Sequence, residues 1–343
     1  MSKYGRVRIK DIAKELDLST ATVSRALNPE TEHMVGKDQV KRVRDCAREL
    51  GYIPNLAAAA LRNQKTHVIG VVIPDILNPV FPPMIKGIQS YLFTQGYITI
   101  FVFSNNNQEE ALEEVRRLAM RNVDGLILAS AFLEDRSVSE CLLQEIPLVL
   151  ANRSIQEGHL VHQVLSDDQH GMELAINHLI SLGHRHLAHF AGPDTILQGL
   201  KRRQAFEWLC QQNNIEFDII NCDQDDTYAF SVDAGRVGAR DYLESGGKAT
   251  GWIAANDLMA IGAIETCRKL NIQIPKDISI CGFNDMPMAD IVNPSLTTVS
   301  VPFEEIGEQA ARMLVKEIGS PWPSKQRWLI APHLVVREST AKA

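Results

Sequence analysis

Residues 6–52 carry apolar positions spaced as in three short helices. The first predicted helix has the i, i+3, i+4, i+7 stripe of one buried face, formed by Ile9, Ile12, Ala13 and Leu16. The third has a looser stripe that ends before Gly51, formed by Val40, Val43, Ala47 and Leu50. Two helices about three residues apart, with a third packed across them, are typical of a helix-turn-helix, and a small helical cap domain is the alternative.

The second predicted helix lies in the sequence "LSTATVSRALN", residues 18–28. Ser19 is a good N-cap, and Val23 and Leu27 share one apolar face. The remaining surface is small and polar, with Arg25 near its end. Such a surface is either ordinary solvated helix or one shaped to enter a groove, and the stretch alone does not decide between them.

A short alanine-rich segment follows, with the sequence "YIPNLAAAALRNQKT". Pro54 ends the preceding helix, Asn55 can cap a new one, and four alanines before Leu61 favour helix. A helix of about eight residues is too short to be stable alone in water. We expect either a linker or a segment that becomes helical only when something holds it.

From His67 the pattern changes to short β-rich runs separated by helical stretches. This alternation predicts repeated βαβ units with buried parallel strands. Its length favours two doubly wound lobes with a ligand cleft at the carboxyl ends of the strands. The predicted strands are 68–74, 98–104, 123–129, 146–152, 186–192, 250–256 and 277–283.

The composition is that of a folded protein of two or three domains, because 45% of its 343 residues are hydrophobic and 22% are charged. Its six cysteines show no close pairing, which predicts reduced thiols in a cytoplasmic protein. No signal peptide and no run of about 18 apolar residues is present in the sequence, so we expect no membrane association.

Charge is divided unevenly along the chain. Residues 1–65 contain 13 Lys and Arg against 8 Asp and Glu, a net charge of +5 within a total of −7. The rest of the chain therefore has a net charge of −12. A small basic head on an acidic body predicts a nucleic-acid contact at one end only.

The sequence supports enzymatic activity poorly. His184, His186 and His189 are close in sequence but span a turn into a strand, which does not favour a shared metal. Asp167 and Asp168 are adjacent and could be catalytic carboxylates, but an N-cap role for one of them is favoured. The sequence contains no Walker loop, nucleophile elbow or dinucleotide-binding glycine pattern. We therefore expect no catalytic residues, no metal and no cofactor.

Several motifs, in their order along the chain, resemble the lactose-repressor (LacI/GalR) family of bacterial transcription regulators. They cover nearly the whole sequence and include "IKDIAKELDLSTATVSRALN", "VKRVRDCARELGYIPNLAAAALR", "IGVVIPDILNPVF", "HLISLGHRHLAHFAGP", "AANDLMAIGAI", "IPKDISICGFND" and "LTTVSVPFEEIGEQA".

The resemblance implies that the second helix lies in the major groove of operator DNA. Its base-reading residues would be Thr20, Ala21 and Arg25, and its phosphate contacts Thr22 and Ser24. Arginine pairs bidentately with guanine, and small side chains lie against a thymine methyl. Arg8 departs from the family, which has a Thr or Ser cap there, and this should cost the first helix stability.

The alanine-rich segment matches the family's hinge helix, which contacts DNA from Asn55 onward. The resemblance implies that Leu61 wedges into the minor groove at the operator centre. The segment would order on DNA and beside the equivalent segment of a second copy. We therefore expect a homodimer or a tetramer on a pseudo-palindromic operator.

In the lobes, the resemblance implies a set of effector contacts. Phe230 would stack on the ligand, with Tyr228 as an alternative, whereas Phe81 is equally well explained as a core aromatic. One contact of this set, Asn284, lies in the "GFND" turn, next to Phe283 and Asp285. The predicted effector-binding residues are Phe81, Asn152, Arg153, Arg202, Phe230, Asn256 and Asn284.

Two departures bear on the effector. Asn152 and Asn284 replace aspartates with which the family grips sugar hydroxyls, while Arg202 remains, with Arg153 or Arg203 beside it. A loss of negative charge beside a cation favours an anionic effector such as a sugar acid or a sugar phosphate. The alternative is that asparagine simply replaces aspartate as a hydroxyl partner.

We therefore predict a small all-α helix-turn-helix head (1–54), a hinge helix and linker (55–65), and a two-lobed α/β domain (66–343). The lobes should contain doubly wound parallel sheets, as in periplasmic binding proteins, and serve effector binding and dimerisation. The predicted function is an effector-controlled transcription regulator, most often a repressor in this family. The alternatives are a ligand-binding receptor of the periplasmic sugar-binding type and an enzyme on the same scaffold.

Overall fold

The computed structural model describes residues 7–28, 31–52, 65–222, 230–321 and 323–343. The chain forms two compact units, Met1–Thr66 and His67–Ala343. Each unit has its own buried apolar cluster, so each is described by itself.

In the described residues the first unit contains three α-helices and one 3-10 turn, Glu32–Met34. The α-helices are α1 (Ile9–Leu16), α2 (Thr20–Leu27) and α3 (Lys37–Glu49). Asp17 turns the chain between α1 and α2 in the left-handed conformation, with φ 52° and ψ 49°. The side chain of Ser19 caps α2 by accepting a hydrogen bond from the Thr22 N–H at 3.1 Å. The helix-turn-helix prediction is confirmed.

The three helices share one small core, made of Ile12, Ala13, Val23, Ala26, Val43, Cys46 and Ala47. One sequence prediction is wrong in detail: Leu50 is 38% exposed because α3 ends at Glu49 and Leu50 is its C-cap. On α2, Leu27 is half-buried and packs against the core with Val23, and Ala26 is fully buried beside them.

The second unit contains two six-stranded sheets. In lobe 1 the strand order is β11-β5-β4-β3-β1-β2, and every neighbouring pair is parallel. Its strands are β1 (Val68–Ile73), β2 (Ile98–Phe103), β3 (Gly125–Leu128), β4 (Leu148–Ala151), β5 (His162–Ser166) and β11 (Arg327–Ile330).

In lobe 2 the order is β12-β10-β9-β8-β6-β7, and only the pair of β12 with β10 is antiparallel. Its strands are β6 (His186–Ala191), β7 (Glu216–Asn221), β8 (Gly251–Ala254), β9 (Ser279–Asn284), β10 (Thr297–Ser300) and β12 (His333–Val335). All seven predicted β-rich runs are strands, namely β1–β4, β6, β8 and β9.

Eight helices of the described residues flank the two sheets, and they are α4 (Phe81–Thr94), α5 (Gln108–Ala119), α6 (Arg136–Leu143), α7 (Asp168–Ser181), α8 (Leu197–Gln212), α9 (Val232–Glu244), α10 (Asp257–Lys269) and α11 (Phe303–Gly319). Helices α4 and α11 approach very closely: a Cβ at Gly87 would lie 2.0 Å from the Glu304 carbonyl oxygen. No helix in the described ranges is long and apolar enough to cross a membrane.

The chain passes between the lobes three times, at residues 166–168, 300–303 and 330–333. The carboxyl ends of the parallel strands therefore meet beside three crossing segments. An open α/β sheet binds ligands at this end, so the topology places a cleft there.

Candidate functional site

A cleft lies between the two lobes of the second unit. In this structure the cavity between its walls is narrow, about 40 Å³ in volume. Its lining residues are Asn78, Val80, Phe81, Asn152, Arg153, Ile196, Gln198, Arg202, Phe230, Asn256, Asn284 and Phe303.

All seven residues predicted to bind an effector line this one cleft, although they come from both lobes and span 204 positions of the chain. Phe81 begins α4, lines the cleft and also belongs to the buried core. Sequence reasoning missed five lining residues, namely Asn78, Val80, Ile196, Gln198 and Phe303. Three of them lie in "NPVF" and "VPFEE", motifs of the family resemblance, which could have drawn attention to them.

Three lining residues have a left-handed backbone. The φ angles are 64° at Asn152, 60° at Phe230 and 109° at Asn284. Asparagine tolerates this region better than most residues, whereas a bulky phenylalanine there is a genuine outlier. Such conformations persist where the surrounding structure imposes them, and they concentrate at functional sites.

Asn256 holds Phe230 in place. The Asn256 Nδ2 donates to the Phe230 carbonyl oxygen at 2.9 Å, and its Oδ1 accepts from the Met259 N–H at 2.9 Å, capping α10. The Phe230 ring lies on Gly192, where a Cβ would come within 2.5 Å of the ring. Asn256 thus lines the cleft chiefly as a positioning residue for the aromatic.

Arg202 is buried and already paired. Its Nε and Nη2 donate to Asp168 Oδ1 at 3.0 and 2.8 Å, and its Nη1 donates to the Ala255 carbonyl oxygen at 2.5 Å. The guanidinium carbon lies 3.7 Å from the centre of the Phe283 ring. Burial raises the pKa of the Asp168 carboxyl, and the adjacent guanidinium opposes that rise.

The three cations named in the anionic-effector hypothesis have different partners. Arg202 forms an ion pair with Asp168 at 2.8 Å. Arg203 does not line the cleft and forms ion pairs with Asp194 at 3.1 Å and Glu207 at 3.0 Å. Arg153 does line the cleft, and its Nη2 donates to Asn106 Oδ1 at 2.9 Å.

Two side-chain oxygens of the wall are buried acceptors. Asn284 Oδ1 and Gln198 Oε1 have no hydrogen-bond partner in the described part of the chain. A buried polar atom without a partner costs about 1–3 kcal/mol, which a ligand that supplies donors would recover. The cleft therefore offers acceptors to hydroxyl groups.

The turn that carries Asn284 is tied to the start of α10. Asp257 accepts hydrogen bonds from the Met286 N–H at 2.6 Å and from the Thr298 hydroxyl at 2.5 Å. Burial, the largest cause, raises the pKa of Asp257 to about 7. Asp285 forms an ion pair with Arg337 at 2.7 Å on the outer side of the same turn.

The histidines of the segment 184–189 have separate partners. His184 Nδ1 is 2.9 Å from the Thr250 hydroxyl, His186 Nε2 is 2.8 Å from Asp218, and His189 Nδ1 donates to the Ile253 carbonyl oxygen. Burial lowers the pKa of His189 to about 4. Within the described residues, His, Cys, Asp and Glu side chains form no group of three or more that could hold a metal.

The expectation that one of two adjacent aspartates is an N-cap is confirmed. Asp167 caps α7 by accepting a hydrogen bond from the His170 N–H at 3.1 Å. The neighbouring Asp168 is the partner of Arg202, a role that sequence reasoning did not identify.

In the first unit, the three predicted base-reading residues Thr20, Ala21 and Arg25 are exposed on α2, opposite its buried residues. Thr22 and Ser24 are half-buried, and the Thr22 hydroxyl is 2.9 Å from the Ser19 hydroxyl. Asn55, Leu61 and Tyr228 lie outside the described residues.

Comparisons with known proteins match both units. Residues 8–55 match the family described as bacterial regulatory proteins, lacI family, and residues 176–340 match a periplasmic binding protein-like domain. The ribose operon repressor of Halalkalibacterium halodurans is 30% identical over 332 residues, which are 97% of this chain and 96% of that protein.

Two solved structures are similar. One is the Lac repressor dimer bound to operator, with a TM-score of 0.87 and 23% identity over 98% of this chain and 100% of that one; it supports the fold alone. The other is a LacI family regulator from Enterococcus faecium with bound ribose, with a TM-score of 0.67 and 28% identity over 80% of this chain and 99% of that one.

Proposed function

The chain belongs to the lacI family of bacterial regulatory proteins, and from this premise we propose that α2 reads an operator while a small neutral effector binds in the cleft between the lobes. It is a DNA-binding transcription regulator. The observation that carries the effector proposal is the convergence of all seven predicted residues on one cleft. Regulation follows if the effector binds one arrangement of the lobes better than the other.

The operator contacts are proposed for the exposed face of α2. Thr20 and Ala21 are small enough to let the helix lie deep in a major groove, and Arg25 can reach a guanine edge. Thr22 and Ser24 would donate to phosphates beside the helix N-terminus, which also attracts anions. Asn55 and Leu61 remain proposed DNA contacts on the sequence resemblance alone.

The effector is proposed to be a hydroxyl-rich, uncharged compound of sugar size. The buried acceptors Asn284 Oδ1 and Gln198 Oε1 suit hydroxyl donors, and the Phe230 ring offers a face for an apolar sugar surface. A related regulator holds ribose, and a relative is named a ribose operon repressor. An anionic effector is disfavoured because Asp168 neutralises Arg202.

A homodimer is proposed to form through lobe 1. Phe93 at the end of α4 is 79% exposed, and Ile98 at the start of β2 is 56% exposed. Strand β2 is an edge of its sheet, so an apolar edge is left there that a second copy would cover. Two heads held side by side would read the two halves of a pseudo-palindrome.

We keep the division into a head (1–54), a hinge (55–65) and an effector and dimerisation domain (66–343) as part of the proposal. We also propose that the protein acts in the cytoplasm, because operator DNA lies there. The alternative of a binding receptor without regulatory role does not account for residues 8–55, which match a bacterial regulatory family.

The test is selection of binding sites from random DNA with the full chain, followed by titration of the selected operator with and without ribose, glucose and cellobiose. We expect a pseudo-palindromic consensus and an operator affinity that at least one sugar changes. A chain that begins at His67 should bind the same sugar without binding DNA. Selection of no consensus, or an operator affinity that no sugar changes, would contradict the proposal.

A further inference from the structure

Asp168 occupies a distinctive place in the second unit. It is the first residue of α7 and follows directly after the first passage of the chain from lobe 1 to lobe 2. Its side chain is 11% exposed and does not line the cleft; it lines an outer groove together with Gln198, whose side chain reaches both spaces. Asp168 therefore acts on the cleft through its neighbours.

The neighbour that matters is Arg202, which lines the cleft and is 4% exposed. Two of its nitrogens donate to the same oxygen, Asp168 Oδ1, and a third donates to the Ala255 carbonyl oxygen. Without the Asp168 carboxylate, the charge of the guanidinium and its Nε and Nη2 donors would be available to a ligand in the cleft. Arginine in that state is the preferred partner of carboxylate and phosphate groups.

We propose that Asp168 sets the charge class of the effector: by neutralising Arg202 it makes the cleft select uncharged, hydroxyl-rich ligands over their anionic counterparts. The inference rests on the proposed function of the cleft and adds the residue that determines its selectivity. Asp168 is a positioning and charge-compensating residue, because it contacts Arg202 and does not itself line the cleft.

The other charges near the pair do not account for this selectivity. Arg153, the second cation in the cleft wall, is present in wild type and variant alike, so a comparison between them isolates Asp168. The adjacent Asp167 is occupied in capping α7 through the His170 N–H. None of the twelve lining residues of the cleft is a carboxylate, so the negative charge that compensates Arg202 comes from Asp168, outside the lining.

The experiment compares the full chain with Asp168→Asn, which removes the charge and keeps the side-chain size. Calorimetry would use matched pairs of probes, namely D-ribose with D-ribose 5-phosphate and D-glucose with D-glucuronate. Glu173→Gln is the control, because Glu173 is an exposed carboxylate on the same helix. The double variant Asp168→Asn, Arg202→Gln removes both charges.

We expect wild type and Glu173→Gln to bind one neutral probe at least tenfold more tightly than its anionic counterpart. Asp168→Asn should shift that ratio at least tenfold toward the anion, and the double variant should lose the gain. A merely structural role for Asp168 would weaken both probes of a pair alike and leave the ratio unchanged.

Several outcomes would overturn the inference. They are a wild-type preference for the anionic probe, a ratio unchanged in folded Asp168→Asn, or a gain that persists in the double variant. If Asp168→Asn does not fold, the affinities of wild type and of the double variant test the inference. Both proteins must bind the neutral probe more tightly than its anionic counterpart. Sugar binding without the expected selectivity overturns this inference alone, whereas absence of sugar binding and of sugar-dependent operator affinity overturns the proposed function with it.

Discussion

At the scale of single residues, the polar groups of the cleft divide into those already used by the protein and those left for a ligand. Both polar atoms of the Asn256 side chain form hydrogen bonds, with the Met259 N–H and the Phe230 carbonyl oxygen, and Arg202 forms an ion pair with Asp168. Asn284 keeps a buried acceptor without a partner among the described residues. Asn256 and Asn284 are the same residue type in one cleft, but their side chains are used differently. Substitutions can test the role of each residue.

Arg25→Ala should relax the base preference at one position in each half-site and cost about 1–3 kcal/mol of operator binding. The reason is loss of a bidentate contact with guanine. Site selection and titration with the variant would measure both effects. As a control, Arg48→Ala removes an exposed cation from α3, and it should weaken all sequences evenly or not at all. A consensus that Arg25→Ala leaves unchanged would show that Arg25 does not read a base.

Gly192→Ala should weaken effector binding by about 1–3 kcal/mol, the usual cost of overpacking. The new Cβ would lie 2.5 Å from the Phe230 ring and must displace it. Gly319→Ala is the matched control, because nothing lies within 4 Å of a Cβ there. Calorimetry with the neutral sugar that binds best measures the effect. Equal affinity in both variants would show that the position of the Phe230 ring does not matter for binding.

Asp257 should make the stability of the second unit depend on pH. Its pKa rises from 3.8 to about 7 on folding, so the folded state holds a proton that the unfolded state has lost between those values. Stability contributed by Asp257 is therefore full below about pH 4 and declines as pH rises to about 7, at up to about 1.36 kcal/mol per pH unit.

The measurement is urea unfolding of wild type and Asp257→Asn from pH 4.5 to 8. The histidines with lowered pKa, such as His189, act in the opposite direction but are common to both proteins. The free-energy difference between wild type and variant should therefore shift steadily in favour of the variant up to about pH 7 and then stay constant. A difference that does not change with pH would mean that the Asp257 carboxyl titrates normally.

At the scale of elements, α1 illustrates how the first unit keeps a helix with an unusual start. Arg8 is the N-cap and its side chain offers no acceptor. The Asp11 carboxylate compensates in part by accepting a hydrogen bond from the Arg8 N–H at 2.8 Å. One half of a capping box is therefore present, and the other half is missing.

Arg8→Ser should complete that capping box and stabilise the first unit by about 1 kcal/mol, because serine can accept a hydrogen bond from a first-turn N–H. Arg8→Ala is the matched control: it removes the same cation without adding an acceptor. Amide hydrogen exchange of α1 in the full chain would show slower exchange in Arg8→Ser only. Equal exchange in both variants would mean that the missing cap costs this helix nothing.

At the scale of the whole molecule, the three crossing segments let the lobes carry one shared site. Phe303 lines the cleft directly after the second crossing, and Asp168 follows the first. A ligand held between the lobes contacts groups of both, so it can favour one arrangement of them. The effect on DNA is a coupling free energy between two sites, and such coupling is reciprocal.

Reciprocity gives a quantitative prediction. The factor by which a saturating sugar changes operator affinity must equal the factor by which saturating operator changes sugar affinity, and about 5–150-fold is the usual range. Titrating each ligand in the presence and absence of the other measures both factors. Arg25→Ala at the same operator concentration is the control, since weaker DNA binding should reduce the change in sugar affinity. A factor of one in both titrations of the full chain would contradict coupling between the two sites.

Features that depend on neighbours a few residues away along the chain could be predicted from the sequence. The stripe of Ile9, Ile12 and Ala13 defined α1, the Ser19 cap started α2, and seven apolar runs became strands. It missed five strands, β5, β7, β10, β11 and β12, because they are short or mixed in polarity and are ordered by pairing with distant partners.

The partners of the charged and amide side chains in the cleft depend on contacts between residues that are distant in sequence. Asp168 and Arg202 are 34 positions apart, and Asn256 and Phe230 are 26 apart. No local periodicity specifies such pairs, because they form when α7, α8 and α10 pack beside the same sheet. For that reason the sequence predicted a set of residues that line one cleft, whereas the fold determines which of them still have a charge or an acceptor to offer.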